Sequence, residues 1–218
     1  MRLLHCIFLL LGLGAVLTGC GEPPKPTVNL YRAVQVGDLD QIKRHLFWGT
    51  DVNQPGPDGD FPLHVAVAQG RVAIAKELLK HGAETDVRDT LGRTPLHVAL
   101  ASGKVPAAKL LLAQGAEDDL QGLLFDLLKN ESVDRDTLAF LSQNGVDIDA
   151  LGPEGMTSIQ IAVAAGDVQL TKRLLTAGAD VNRVDAQGTS ALALARALQD
   201  RRTASIMVEL LRQFGATN

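Results

Sequence analysis

Cysteine is almost missing from this chain. Of 218 residues only Cys6 and Cys20 carry thiols. A body without cysteine beyond residue 20 holds no disulfide, no thiolate nucleophile and no cysteine-ligated metal. Aromatic residues make up 4%, with a single tryptophan, so the core is built from layers of Leu, Val and Ala instead of large rings. Neither sign of charge dominates: 21 basic residues face 25 acidic ones, for a formal net charge of −4. That balance excludes the basic footprint that nucleic acid or anionic lipid requires. The Gly-x-Ser-x-Gly, His-Glu-x-x-His and phosphate-loop patterns are all missing, so no set of titratable groups marks an enzyme. The acidic run Glu117-Asp118-Asp119 lacks the ordered loop of oxygen ligands that calcium needs. Neither a metal nor a cofactor is expected.

Long apolar runs are also scarce. The exception is Ile7 to Val16, interrupted only by Gly12 and Gly14 and preceded by one early basic residue, Arg2. It falls short of the roughly 20 apolar residues that a membrane-spanning helix needs and suits a cleaved secretory signal. Leu17-Thr18-Gly19-Cys20 follows. These four residues resemble the lipobox of bacterial lipoproteins, which implies a signal peptide over residues 1–19 and acylation of Cys20. The alternatives are an uncleaved anchor or a core helix with a chance cysteine. Loss of residues 1–19 removes Arg2 and leaves a formal charge of −5. Glu22-Pro23-Pro24-Lys25-Pro26 completes a tether over residues 20–27, and at about 3.1 Å per residue it would hold the domain roughly 25 Å from the bilayer. Gly21 stands where an aspartate commonly marks inner-membrane retention, so the expected location is the cell envelope, facing the periplasm, with the outer membrane slightly favoured over the inner.

From Val28 onward the chain repeats itself. Gly49, Gly82 and Gly115 stand 33 residues apart, as do Gly37, Gly70 and Gly103, and His64 and His97. The words "GDFPLHVAVAQGRVAIAKELLKHGAETD" and "GRTPLHVALASGKVPAAKLLLAQGAEDD" recur with that period, followed more loosely by "GMTSIQIAVAAGDVQLTKRLLTAGADVN". Thr94 can cap a helix whose first position is Pro95, where a missing N–H costs nothing. The words closely resemble the ankyrin repeat over nearly all of residues 28–218. The resemblance implies an all-α solenoid of stacked helix pairs with short β-hairpin fingers, in about six units. It also implies that His64 and His97 are structural, bonded to neighbouring backbone and to the threonine hydroxyl. The pattern departs from the family in places. Phe61 replaces the capping threonine. The unit near residues 119–150 is degenerate: Gly115 to Gly145 spans only 30 residues, consistent with helices at Leu123–Lys129 and Asp134–Asn144 and a trimmed finger. The last unit is lengthened around "LQDRRTAS".

No unit buries its apolar face alone, so the stack is the core, and its curved face suits binding another macromolecule. The expected activity is that of a monomeric, non-enzymatic scaffold or modulator of a protein partner whose identity is open, with a role in stress defence as one form. The other reading is an immunity protein that masks a periplasmic toxin such as a lipase or a cell-wall hydrolase. Candidate partner-binding residues are Arg88, Thr90, Leu91 and Arg93 on one finger, Phe61 and Met156 near others, and Trp48 at the end of a helix. Leu91 could instead pack on an adjacent finger, and Trp48 could simply cover the first repeat.

Overall fold

The structure is a computed structural model that describes residues 22–130 and 133–217; the leader and Cys20 lie outside the described residues. Twelve helices form six antiparallel pairs among the described residues: α1 (Leu30–Val36) with α2 (Leu39–Phe47), α3 (Pro62–Ala68) with α4 (Val72–Lys80), and α5 (Pro95–Ala101) with α6 (Val105–Ala113). They continue as α7 (Leu120–Asn130) with α8 (Arg135–Gln143), α9 (Ser158–Ala164) with α10 (Val168–Thr176), and α11 (Ala191–Ala197) with α12 (Arg201–Gln213). The fold is all-α. The fingers contain no strand among the described residues, and a lone antiparallel bridge joins Val184 to Ser190.

Local chemistry sets the helix starts. The Thr94 hydroxyl accepts the His97 N–H at 3.1 Å, and Pro95 follows as the first helical residue. Asp134, Asp167 and Ser190 cap α8, α10 and α11 in the same way. Phe61 provides no side-chain cap. The first helices are short because a left-handed glycine such as Gly103, φ +64°, turns the chain back after two turns.

The core runs along the stack. Leu63, Leu96, Leu111, Leu124, Ile159, Leu174 and Leu192 are each 1% exposed or less, and the alanines Ala66, Ala99, Ala162 and Ala195 between them are fully covered. Inner helices pack on inner helices all along the stack, except that α5 and α7 approach less closely than their counterparts elsewhere. α7 begins three residues earlier than the repeat pattern suggests, because the Asp119 carboxylate accepts the Gln121 N–H at 3.1 Å and starts the helix there.

The proline-rich segment is not a free spacer. The Thr27 N–H donates to Gln41 Oε1 at 2.9 Å, His45 Nε2 donates to the Val28 carbonyl at 2.6 Å, and the Trp48 indole N–H donates to the Pro23 carbonyl at 3.2 Å. From Pro23 on, the expected stand-off tether lies along α2. Its carbonyls, which proline-flanked backbone cannot pair internally, find donors there.

Candidate partner-binding surface

The fingers are tight turns closed by their own backbone. Gly56 N–H donates to Asp60 at 2.8 Å, Asp89 to Arg93 at 3.0 Å, Gly152 to Met156 at 2.8 Å, and Asp185 to Thr189 at 3.0 Å. These four fingers stand as two pairs. A Cβ built on Gly59 would meet the Thr90 methyl of the next finger at 2.3 Å, and one on Gly155 would meet Ala186 at 2.9 Å. Gly92 has nothing within 4 Å. Where the third finger of the row should stand, α7 already runs, with Gly122 inside it. The finger row is therefore broken after residues 89–93.

That break leaves a cavity of about 290 Å³. Arg88, Leu91, Arg93 and His97 line one side, and Asp118, Asp119 and Asp126 line the other. Several of these groups are already engaged. Arg88 donates to the Gly92 carbonyl at 2.8 Å, and the Thr94 hydroxyl donates to Asp118 at 2.8 Å. The Arg93 guanidinium meets the buried Asp89 carboxylate at 2.7 Å. Burial opposes the Asp89 charge, but the backbone N–H and guanidinium of Arg93 and the Leu91 N–H outweigh it and hold the carboxyl below its ordinary value of 3.8. Among the described residues the His97 ring and the Asp126 carboxylate make no hydrogen bond, and Leu91 is 72% exposed.

The two histidines of the repeated words part company here. His64 is 2% exposed, its Nε2 donates to the Arg93 carbonyl of the following finger at 2.9 Å, and Phe61 lies against its ring. His97 makes no ring hydrogen bond, correcting the expectation of backbone and threonine partners: the finger that would supply the carbonyl is missing, and Thr94 spends its hydroxyl on Asp118. Gln160, which replaces histidine in the later word, donates to the Thr189 carbonyl of its following finger at 2.8 Å. Burial lowers the pKa of both His64 and His97, against nearby carboxylates that favour the charged form.

Of the residues picked out from sequence, Arg88, Leu91 and Arg93 come together at the break. Thr90 packs on the preceding finger, Phe61 is half-buried on His64, and Met156 is half-buried at the base of a later finger. Trp48 sits apart with the proline-rich segment. Leu91 is largely exposed. Sequence reasoning missed Asp126 and the joining of His97 to the cavity; the shortened glycine interval was their only signal. A larger cleft of about 530 Å³ opens between α8 and α10, lined by Arg135, Lys172 and Arg173 without a carboxylate. No group of His, Cys, Asp or Glu among the described residues is arranged to hold a metal.

Comparison with known proteins matches ankyrin repeats (3 copies) to residues 30–121 and ankyrin repeats (many copies) to residues 134–175. The human palmitoyltransferase ZDHHC17 is 40% identical over 80% of this chain and 29% of its own length. The chain spans only 20% to 41% of the curated relatives it matches. The ankyrin repeat domain of human ASB11 superposes with a TM-score of 0.65 at 30% identity, covering 87% of this chain and 85% of that one. An ankyrin repeat domain from Acinetobacter baumannii gives 0.59 at 25% identity, over 86% and 98%. The repeated words, the six helix pairs and these matches agree: the chain belongs to the ankyrin-repeat family, whose stacks are scaffolds for protein–protein interaction.

Proposed function

We propose that this chain is a lipid-anchored, periplasm-facing ankyrin-repeat lipoprotein that binds a partner protein at the break in its finger row. The break carries the reading. It exposes Leu91, an apolar side chain that the next finger would otherwise approach, beside a carboxylate and an imidazole that make no hydrogen bond among the described residues. Such a site fits a partner segment that offers an apolar group to Leu91 and an arginine to Asp126, since interface centres favour large apolar groups and arginine. The anchor rests on Leu17-Thr18-Gly19-Cys20 and the apolar run before it.

The test places a photo-crosslinking residue at position 88, exposed on the same cavity, in cells and compares capture by the otherwise unchanged chain with capture by a Leu91→Ser, Asp126→Ser variant carrying the same crosslinker. Arg93 is left alone because it fastens Asp89. Lys76→Ser with Lys80→Ser, on the exposed side of α4, is the control. Capture should fall by about tenfold for the first pair, with an unchanged unfolding midpoint, and not for the control. Loss of capture in the control alone would move the interface to the other side of the stack. For the anchor, Cys20→Ser should abolish palmitate labelling and release the chain from membranes; a serine variant that still labels and sediments refutes it.

A further inference from the structure

We propose that the edge of the first unit around Phe47 and Trp48 rests on the lipid bilayer surface, so that the domain sits against the membrane instead of hanging from it. The inference rests on acylation of Cys20, as proposed above, and adds a contact surface to it. Exposed large apolar side chains are unevenly spread. Five of the ten among the described residues, Val28, Val36, Leu39, Phe47 and Trp48, belong to the first unit. Leu39, Lys43 and Phe47 lie four apart along α2 and share one face. Phe47 is 57% exposed and meets Trp48 edge-on at 5.5 Å.

The repeat offers an internal control. The two residues before the helix-ending glycine, Phe47-Trp48 in the first unit, are Lys80-His81, Ala113-Gln114, Gln143-Asn144 and Thr176-Ala177 in the next four, and Gln213-Phe214 in the last. A scaffold position that elsewhere carries mostly polar or small groups carries two adjacent aromatics only beside the anchor. Tryptophan, with an apolar ring and one N–H, is the residue favoured at the membrane–water interface.

Chain reach supplies the occupant. Pro23 is hydrogen-bonded to Trp48 and stands three residues after Cys20. Three residues span at most about 11 Å and the indole lies 3.2 Å beyond the Pro23 carbonyl, so an acylated Cys20 holds Trp48 within about 15 Å of the headgroups. The exposed Lys25, its ammonium 5.7 Å from the Trp48 ring centroid, and the exposed Lys43 supply cations for headgroup phosphate on this edge. Asp40 is neutralised by Arg44. The contact is chiefly apolar and requires no net anionic lipid. Acyl chains and a second, weaker surface contact together fix orientation where either alone would not.

Trp48 is the only tryptophan, so its fluorescence reads this one place. The lipidated full chain is reconstituted in phosphatidylcholine vesicles, with and without lipids brominated near the headgroup, after mass spectrometry has verified the acyl groups on Cys20. Trp48 emission should be blue-shifted and quenched by about half, and Leu39→Ser with Phe47→Ser should reduce that quenching about twofold at unchanged unfolding midpoint. Lipidated protein whose Trp48 is unquenched overturns the membrane seat while leaving the anchor standing. So does quenching that ignores the Leu39 and Phe47 substitutions, which would trace proximity to the tether alone. A blue shift that grows with protein density but not with bromine would assign the face to a second copy. Protein found without acyl groups on Cys20 refutes the anchor and, with it, this contact.

Discussion

His64 and His97 occupy the same place in successive repeats, yet replacing each by alanine should cost very different amounts. At His64 the variant loses the Nε2 bond to the Arg93 carbonyl, about 1 kcal/mol net. It also empties a site that is 2% exposed and packed by Phe61, which adds about 1–2 kcal/mol of lost burial and cavity. The Arg93 carbonyl keeps its bond from the Asp89 N–H at 3.0 Å, so no acceptor is orphaned and the sum stays near 2–3 kcal/mol. His97 is half-buried and its ring makes no hydrogen bond among the described residues, so its loss should cost about 1 kcal/mol or less. For a domain of this size each kcal/mol moves Tm by about 2–4 °C. Thermal unfolding followed by circular dichroism should therefore show a drop of about 5–10 °C for His64→Ala and under about 4 °C for His97→Ala. Equal drops, or a larger one at His97, would mean that the missing finger has left that ring no less constrained, and the account of the break would be wrong.

The break should also separate two glycines. Gly59→Ala forces a Cβ against Thr90 as well as a positive φ, whereas Gly92→Ala meets open space, so the first should cost clearly more than the second, for which the conformational penalty alone is about 1 kcal/mol; equal losses in Tm would refute the gap. Stability should fall as pH drops from 7 towards 5. His64 and His97 have folded pKa values below the ordinary 6.5, so the unfolded chain takes up protons first, and the stabilisation present above 6.5 is lost as pH falls through the folded values. Asp89, held below 3.8, adds a further loss at stronger acidity by the same sign. A Tm that is flat or rises between pH 7 and 5.5, or a slope unaltered in His64→Ala, would contradict this.

Much of this architecture was legible because ankyrin units carry their own punctuation. The Pro-Leu-His words place α3 and α5, and the shortened interval between Gly115 and Gly145 anticipates a lost finger. What the interval does not reveal is how the chain closes the shortfall. Asp119 starts α7 three residues early, and that choice rests on a local capping competition that no period encodes. The unpartnered His97 was equally hidden, since its acceptor would belong to a finger some 30 residues on. Trp48 stood out in sequence as a lone indole, but its bond to the Pro23 carbonyl joins residues 25 apart, a pairing that neither the repeat nor the proline-rich composition implies. Repetition reports what each unit shares; the site arises where one unit differs.

The loops that follow the second helices show the same logic and yield a last prediction. A side chain ties most of these loops to the next. The Asn53 amide donates to the Gly82 carbonyl at 2.9 Å and accepts the Glu84 N–H at 3.0 Å. Gln121 bridges both backbone groups of Asp147 at 3.0 Å. Asn182 joins the Gly215 carbonyl at 3.1 Å and the Thr217 N–H at 2.8 Å, and Asp149 accepts the Asp180 N–H at 2.9 Å. Asp86, one period after Asn53, makes no such tie among the described residues. A carboxylate has no donor for the Gly115 carbonyl, and Glu84 and Glu117 line the same open cleft of about 500 Å³, so three carboxylates share it. Asp86→Asn supplies the missing donor, keeps an acceptor for the Glu117 N–H and removes one charge from the trio. Two exposed hydrogen bonds at about 0.5 kcal/mol each should raise Tm by about 2–4 °C. Asp86→Ala, which removes the charge but cannot bridge, should gain less than half of that. An asparagine variant no more stable than the alanine variant would show that charge relief, and not the amide tie, is what this loop lacks.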